Sequence, residues 1–203
     1  MTTGRASRRA PGRGRRPGAP DTRADILAAA RALFAARGFA GTTIRAVAGE
    51  AGVDPALVHH YFGSKADLFV ASLALPVDPR AALAPVAQDG VDGAAERLLR
   101  ALLTIWDDPD HRLALVATAR GLLDPSGPRL FADGFLAVVI GPMGRTLGVD
   151  EPDRRMTLVA SQVVGVLLLR YLLEVEPLAS MPAETVVATY APTLQHYLTD
   201  PLP

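Results

Sequence analysis

The stretch AGVDPALVHHYFGSKADL, residues 51–68, crowds three helix boundaries into fewer than twenty positions. Gly52 suits a left-handed turn, Asp54 offers a carboxylate N-cap, and Pro55 stands at the first helical position, where its missing N–H is no loss. Gly63 closes the helix that follows, at about Phe62, and Ser64 with Asp67 forms an S-x-x-D start for another. A preceding segment, Ile44 to Ala51, is long enough for about two turns. Such dense punctuation excludes both a long through-helix and a strand, and it dictates short helices meeting at sharp angles.

The surrounding sequence supplies the partners. From Asp21, Thr22 and Asp25 fit a helix start, apolar residues follow at Ile26, Leu27, Ala30, Leu33 and Phe34, and Gly38 stands at the expected C-terminal cap. The loop FAGTT leads into the Ile44 helix, and the helix opened by Ser64 runs to Ala71 or Leu75. After the proline-bearing LPVDP (75–79), helices are expected near 91–106, 110–123, 127–147, 152–173 and 183–198, with no strand or hairpin signal among them. The fold class is therefore all-α. An N-terminal three-helix domain containing a helix-turn-helix is linked by a fourth helix to a larger helical bundle. The expected divisions are a disordered arm over 1–20, a helix-turn-helix domain over 21–75, and a larger helical domain over 76–203.

The size pattern of the short pair is specific. Ala48 is small where the two helices cross, Gly52 follows four residues later, and Val47, Ala51, Val53, Val58 and Tyr61 supply a shared core. In this geometry the second helix enters a major groove. With Val58 inward, its outward set is Pro55, Ala56, Leu57, His59 and His60. Thr43 and Lys65 lie at helix starts suited to phosphate, and Lys65 is the chain's sole lysine. An ordinary helical hairpin and a plain surface lysine are the alternatives.

Charge is sorted in the same sense. The net charge is zero, yet residues 1–20 carry six arginines (Arg5, Arg8, Arg9, Arg13, Arg15, Arg16) and no acid, while residues 76–203 carry ten bases against sixteen acids. An anionic partner at the N-terminal end follows. The arm is either a leader without consequence or a polycation that tracks phosphate or enters a minor groove.

The run TRADILAAARALFAARGFAGTTIRAVAGEAGVDPALVHHYFGSKADLF resembles the DNA-binding region of the TetR family of bacterial transcriptional regulators. The likeness covers Thr22 to Phe69 and includes G-F-x-x-T-T (Gly38 to Thr43), the A-G-V turn and Y-F-x-x-K (Tyr61 to Lys65). It implies a homodimer that presents one reader helix per subunit to successive major grooves of a double-stranded operator, with repression relieved by a small molecule. It also implies phosphate contacts from Thr43 and Lys65, and base or backbone reading by Arg45 and by residues 55–60, with Tyr61 beside them. His59 departs from the family's usual tyrosine, and Leu57 stands where a small polar residue is common. His59 and His60 are read as DNA contacts able to gain charge beside phosphate.

The resemblance transfers no ligand to residues 76–203. Trp106, Phe131, Phe135, Met143, Met156 and Tyr171 are the aromatic and flexible residues suited to a pocket, with Arg120 or Gln162 to orient a largely apolar effector. Packing in the core is the competing role for all of them. The last two helices are the expected dimer interface, through Val159, Val163, Val166, Leu167, Arg170, Tyr190 and Leu194, with packing inside one subunit as the alternative. The apolar run at 156–173 has the length of a short membrane span, but Gln162 and Arg170 interrupt it, and a buried or interface helix is the reading.

Other classes fare worse. The acids at 107–110 and 150–153 sit at helix starts, where they complement the dipole, and no nucleophile elbow, Walker loop or H-E-x-x-H occurs, so an enzyme is not expected. With no cysteine there is no thiolate site, and the two neighbouring histidines lie about 100° apart on a helix, so no metal or cofactor is expected. The N-terminus lacks the apolar run of a secretory signal, which points to the cytoplasm. A ligand-independent or activating regulator and a helical adaptor without DNA binding are the remaining alternatives.

Overall fold

The computed structural model describes residues 21–121 and 130–203. The arm over 1–20 and the side chains of 130–133, Phe131 among them, lie outside the described residues. The described residues are helical throughout, without strands. In chain order they form α1 (Thr22–Gly41), α2 (Ile44–Ala51), α3 (Pro55–Phe62), α4 (Lys65–Ser72), α5 (Pro79–Gln88), α6 (Ala94–Asp107) and α7 (Pro109–Gly121). There follow α8, a π-wound Leu130–Ile140 running on as Gly141–Leu147, then α9, Pro152–Leu167 continued by π-wound Leu168–Leu172, and α10 (Ala183–Thr199).

The short helices begin and end on their own signals. Asp54 accepts from the Ala56 N–H at 2.7 Å, and Ser64 and Asp67 close a reciprocal capping box. Gly52 (φ 66°) takes the left-handed turn, and the Val53 N–H returns to the Ala48 carbonyl at 2.9 Å. Two details differ from expectation. Asp21 rather than Thr22 caps α1, through the Ala24 N–H, and regular winding of α1 breaks at Gly38 (φ 69°). The helix α5 was not foreseen, because the proline-bearing LPVDP (75–79) reads as the end of the first domain. Yet Asp78 caps it through the Arg80 N–H and Pro79 fills its first turn, the same Asp-Pro start as α3.

Two cores result. The N-terminal core joins Ile26, Ala30, Leu33 and Phe34 of α1 to Val47, Ala48, Val58, Phe62, Leu68 and Phe69. Phe69 stands edge-on to Phe34 and Phe39, with centroids 5.1 and 5.5 Å away. Each such fully buried ring contributes about 1.5–3 kcal/mol. The larger core brings α6 (Leu98, Leu99, Leu103) against α10 (Val186, Val187, Leu194, Leu198) and α9 (Met156, Val159, Val166). Arg155, only 4 % exposed, ties α9 to the end of α10 by donating to Asp150 Oδ1 at 2.6 Å and to the carbonyls of Tyr197 and Asp200 at 2.7 and 2.9 Å.

The cores meet along α8. Val138 belongs to the N-terminal core, whereas Val139, Met143 and Leu147 belong to the other. At Gly134 the helix comes so close to α4 that an added Cβ would lie 2.2 Å from Phe69 Cζ. Only glycine admits that approach. An ion pair reinforces the junction, since Arg80 of α5 reaches Asp67 Oδ1 at 2.7 Å, and within the N-terminal domain Arg31 of α1 hydrogen-bonds the Ser72 carbonyl at the end of α4 at 2.9 Å.

Candidate nucleic-acid interface and buried cavity

The helix-turn-helix presents an outward face built from α3 and the start of α2. Ala56, His59 and His60 on α3 are exposed, as are Thr43 and Arg45 at the start of α2, while Pro55 and Leu57 are half-buried at the base of the reader helix. Tyr61 is 43 % exposed and lies on the outer side; the shared core takes Phe62 instead, at 8 %. Val58 and Phe62 are four residues apart on one helical face, and Tyr61 falls about 100° away from Phe62.

The two threonines of the G-F-x-x-T-T element divide their work. Thr42 is fully buried, its hydroxyl within 3.1 and 2.9 Å of the carbonyls of Leu33 and Gly38, and it holds the α1 kink. Thr43 is exposed and caps α2 through the Ala46 N–H at 3.1 Å, so its hydroxyl and the helix start face outward together. Lys65 does not extend into solvent. Its Nζ donates to the Ala40 carbonyl at 3.4 Å and rests 4.4 Å from the centre of the Phe39 ring, and partial burial lowers its pKa. Arg23 covers Phe62 in the same way, at 5.3 Å.

His59 is also tethered. Its Nδ1 lies 2.8 Å from the Gly63 carbonyl oxygen, which can only accept, so Nδ1 carries the proton and Nε2 is left with a lone pair in the neutral ring. A tyrosine at that position would offer a hydroxyl donor. Histidine therefore changes the hydrogen-bonding character of the reader helix.

In the second core lies a cavity of about 230 Å³. Trp106, Phe135 and Met143 line it, as does Met156. Arg120 is exposed, and neither it nor Gln162 lies on the wall. Tyr171 stands behind Trp106, stacked at 5.1 Å, with its hydroxyl donating to Asp107 Oδ1 at 2.8 Å. Burial first, and that hydrogen bond second, push its pKa up to about 12.

The positions expected at a dimer interface point inward. Val159, Val163 and Leu167 line the cavity, Val166 and Leu194 are buried in the second core, and Tyr190 packs against it. Arg170 is 8 % exposed, its Nη1 donating to the carbonyls of Leu178 and Met181 at 2.7 and 2.6 Å. The outward face of α9 and the segment after it instead exposes Val164, Leu169, Leu173 and Val175.

Several cavity residues escaped sequence reasoning. Leu73, Leu75, Val77 and Pro79 of the connector line it, as do Leu98, Leu102 and Ile105 of α6. The α6 set was detectable as an i, i+4, i+7 stripe. Among the described residues no three His, Asp or Glu side chains converge as metal ligands; His111 lies 3.4 Å from Asp108, and His196 lies 2.7 Å from Asp200.

A helix-turn-helix with an exposed outer face, joined to a helical core that holds an apolar pocket, is the architecture of a two-domain DNA-binding regulator. Comparison with known proteins agrees. Residues 26–72 match the family of bacterial regulatory proteins, tetR family, and residues 92–198 match the tetracyclin repressor-like C-terminal domain. The solved structure of a TetR-family regulator of Streptomyces coelicolor, SCO0857, is 40 % identical, covers 92 % of this chain and 99 % of that one, and superposes with a TM-score of 0.51. The HTH-type transcriptional repressor SCO4008 of the same species is 38 % identical over 78 residues, which span 38 % of this chain and 41 % of that repressor. The HTH-type transcriptional regulator BetI of Brucella anthropi is 43 % identical over 54 residues, spanning 27 % of this chain and 28 % of that protein. The chain belongs to the TetR family. It is a non-enzymatic DNA-binding transcriptional regulator.

Proposed function

We propose that the protein is a homodimeric repressor that leaves its operator when a small molecule occupies the cavity. The observation that carries the reading is the double role of α8. One side of this helix brings Phe135, Ile140 and Met143 to the cavity wall, and the other places Gly134 against Phe69 and Val138 in the N-terminal core. A ligand that displaces the first side moves the second. The connector into α5 adds a parallel route, because Leu73, Leu75 and Val77 line the same space.

A dimer must hold its two reader helices about 34 Å apart to enter successive major grooves, so a small rotation of each N-terminal domain disengages both. Coupling of this sort is typically about 1–3 kcal/mol. The dimer interface falls to the outward faces of α9 and α10, with Leu169 and Leu173 exposed at the end of the first and the small residues Ala188, Thr189 and Pro192 exposed on the second. On DNA, Thr43 and Lys65 take phosphates, Lys65 leaving the Phe39 ring, while Leu57, His59 and His60 meet base edges with Arg45, Pro55, Ala56 and Tyr61 alongside. Work on operator DNA places the protein in the cytoplasm.

Gel-shift titration against the DNA flanking the protein's own gene tests this reading. The intact protein should give a sequence-specific shift, and Lys65→Ala should weaken it without changing site preference. No specific shift by the intact protein at any flanking fragment sinks the repressor assignment. Light scattering of Leu169→Glu checks the dimer, with monomers expected.

A further inference from the structure

Resting on the effector reading above, we infer that the cavity takes an uncharged, hydrocarbon-like molecule of about ten heavy atoms with no more than one hydroxyl or carbonyl group. The chemistry of the wall carries this. Among the described residues no ionisable side chain lines the cavity, and its only hydrogen-bonding side chains are Thr118 and Trp106. The charged and phenolic groups nearby are engaged elsewhere. Arg170 is held by the Leu178 and Met181 carbonyls, and Tyr171 turns its hydroxyl to Asp107. An ionised ligand would therefore be stripped of water with no counter-charge among the described lining residues to receive it, which disfavours binding strongly.

Size follows from volume. An apolar cavity of about 150 Å³ takes benzene, so about 230 Å³ scales to nine or ten heavy atoms. The shape favours a ring. Trp106 and Phe135 offer flat faces, while Met143 and Met156 adjust to the remaining contour. Thr118 on α7 is the group that would meet a lone ligand oxygen.

The test uses the full-length protein and a matched series of probes: benzene, n-butylbenzene and naphthalene, against 4-phenylbutyrate and 4-phenylbutylammonium. Trp106 is the only tryptophan in the chain and lies on the wall, so its emission reports occupancy directly, with calorimetry as the second readout. The neutral probes should bind, with affinity rising about fourfold per added methylene from benzene to n-butylbenzene. Both charged probes should bind at least 100-fold more weakly than n-butylbenzene. Val163→Phe, which fills the cavity, should weaken n-butylbenzene at least tenfold, and Thr118→Val should weaken 4-phenylbutan-1-ol but not n-butylbenzene.

Charged probes within tenfold of n-butylbenzene, or no binding by n-butylbenzene and naphthalene, overturns the inference even if Val163→Phe fails to fold. Operator release is read separately by gel shift. Binding of n-butylbenzene without release supports the ligand class and removes the effector role. Release by a charged compound that leaves Trp106 emission unchanged overturns this cavity as the sensing site.

Discussion

Gly134→Ala is the substitution on which the contact between the two cores depends most directly. An alanine Cβ there would lie 2.2 and 2.4 Å from Cζ and Cε2 of Phe69. The ring is fully buried and boxed by Phe34 and Phe39, so it cannot swing aside, and α8 or α4 must shift by more than about 1 Å. Overpacking of this kind costs about 1–3 kcal/mol. A clash this close against a ring that cannot yield falls in the upper part of that range, about 2–3 kcal/mol, and alanine returns about 1 kcal/mol of helix propensity, which leaves a net loss of about 1–2 kcal/mol. For a chain of this length that lowers Tm by roughly 2–8 °C.

Gly165→Ala is the control, because a Cβ at that position on α9 meets nothing within 4 Å. It should raise Tm by roughly 2–4 °C from propensity alone. The sign of the two shifts, measured by calorimetry, is thus opposite. A cycle with Phe69→Leu adds specificity: with the ring shortened, Gly134→Ala should become neutral or stabilising, giving a coupling of about 1 kcal/mol or more. If Gly134→Ala stabilises as Gly165→Ala does, or has the same effect in both backgrounds, α8 does not press on Phe69 and the proposed route to the reader helix fails.

Other consequences are as direct. Arg155→Ala leaves the Tyr197 and Asp200 carbonyls without their donor and should cost about 2–4 kcal/mol, seen as a Tm lower by roughly 5–15 °C. The Ser64 hydroxyl first, and then Arg80, hold the Asp67 carboxyl below its ordinary pKa. Its contribution is therefore complete above the usual aspartate range and is lost as pH falls through the lowered folded value. Asp67→Asn should reduce Tm at pH 7, and the gap to the parent protein should close in strong acid. Asp54→Ala removes the cap on α3 and should cost about 1 kcal/mol, while weakening operator binding more than its stability loss explains.

The N-terminal domain was legible because its boundaries are written locally. Asp54, Pro55, Gly63 and the Ser64–Asp67 pair each act on backbone groups within four residues, so sequence spacing alone reports them. The phase of α3 was less certain, since the aromatic neighbours Tyr61 and Phe62 both suit a core and only the inward face shared with Val58 selects Phe62. Prolines hid α5, although Asp78–Pro79 repeats the start of α3. The cavity was half legible: Trp106, Phe135 and Met143 stand on its wall, but Arg120 and Gln162 do not. Val159, Val163 and Leu167 illustrate the reason. An apolar stripe shows that a helix is covered, and whether the cover is a second subunit or a hollow in the same one depends on residues far away in the chain.

The outward side chains of α3 have a practical consequence. Because the helix is held by its own caps and by Val58 and Phe62, exchanging Ala56 or His60 leaves the scaffold's restraints in place, whereas exchanging His59 also gives up its bond to the Gly63 carbonyl. Operator preference and thermal stability are then separate design variables at the first two positions. A library there can be screened for new DNA targets without first selecting for folded members, and under the proposed mechanism the same cavity would govern whichever promoter the new reader helix chooses.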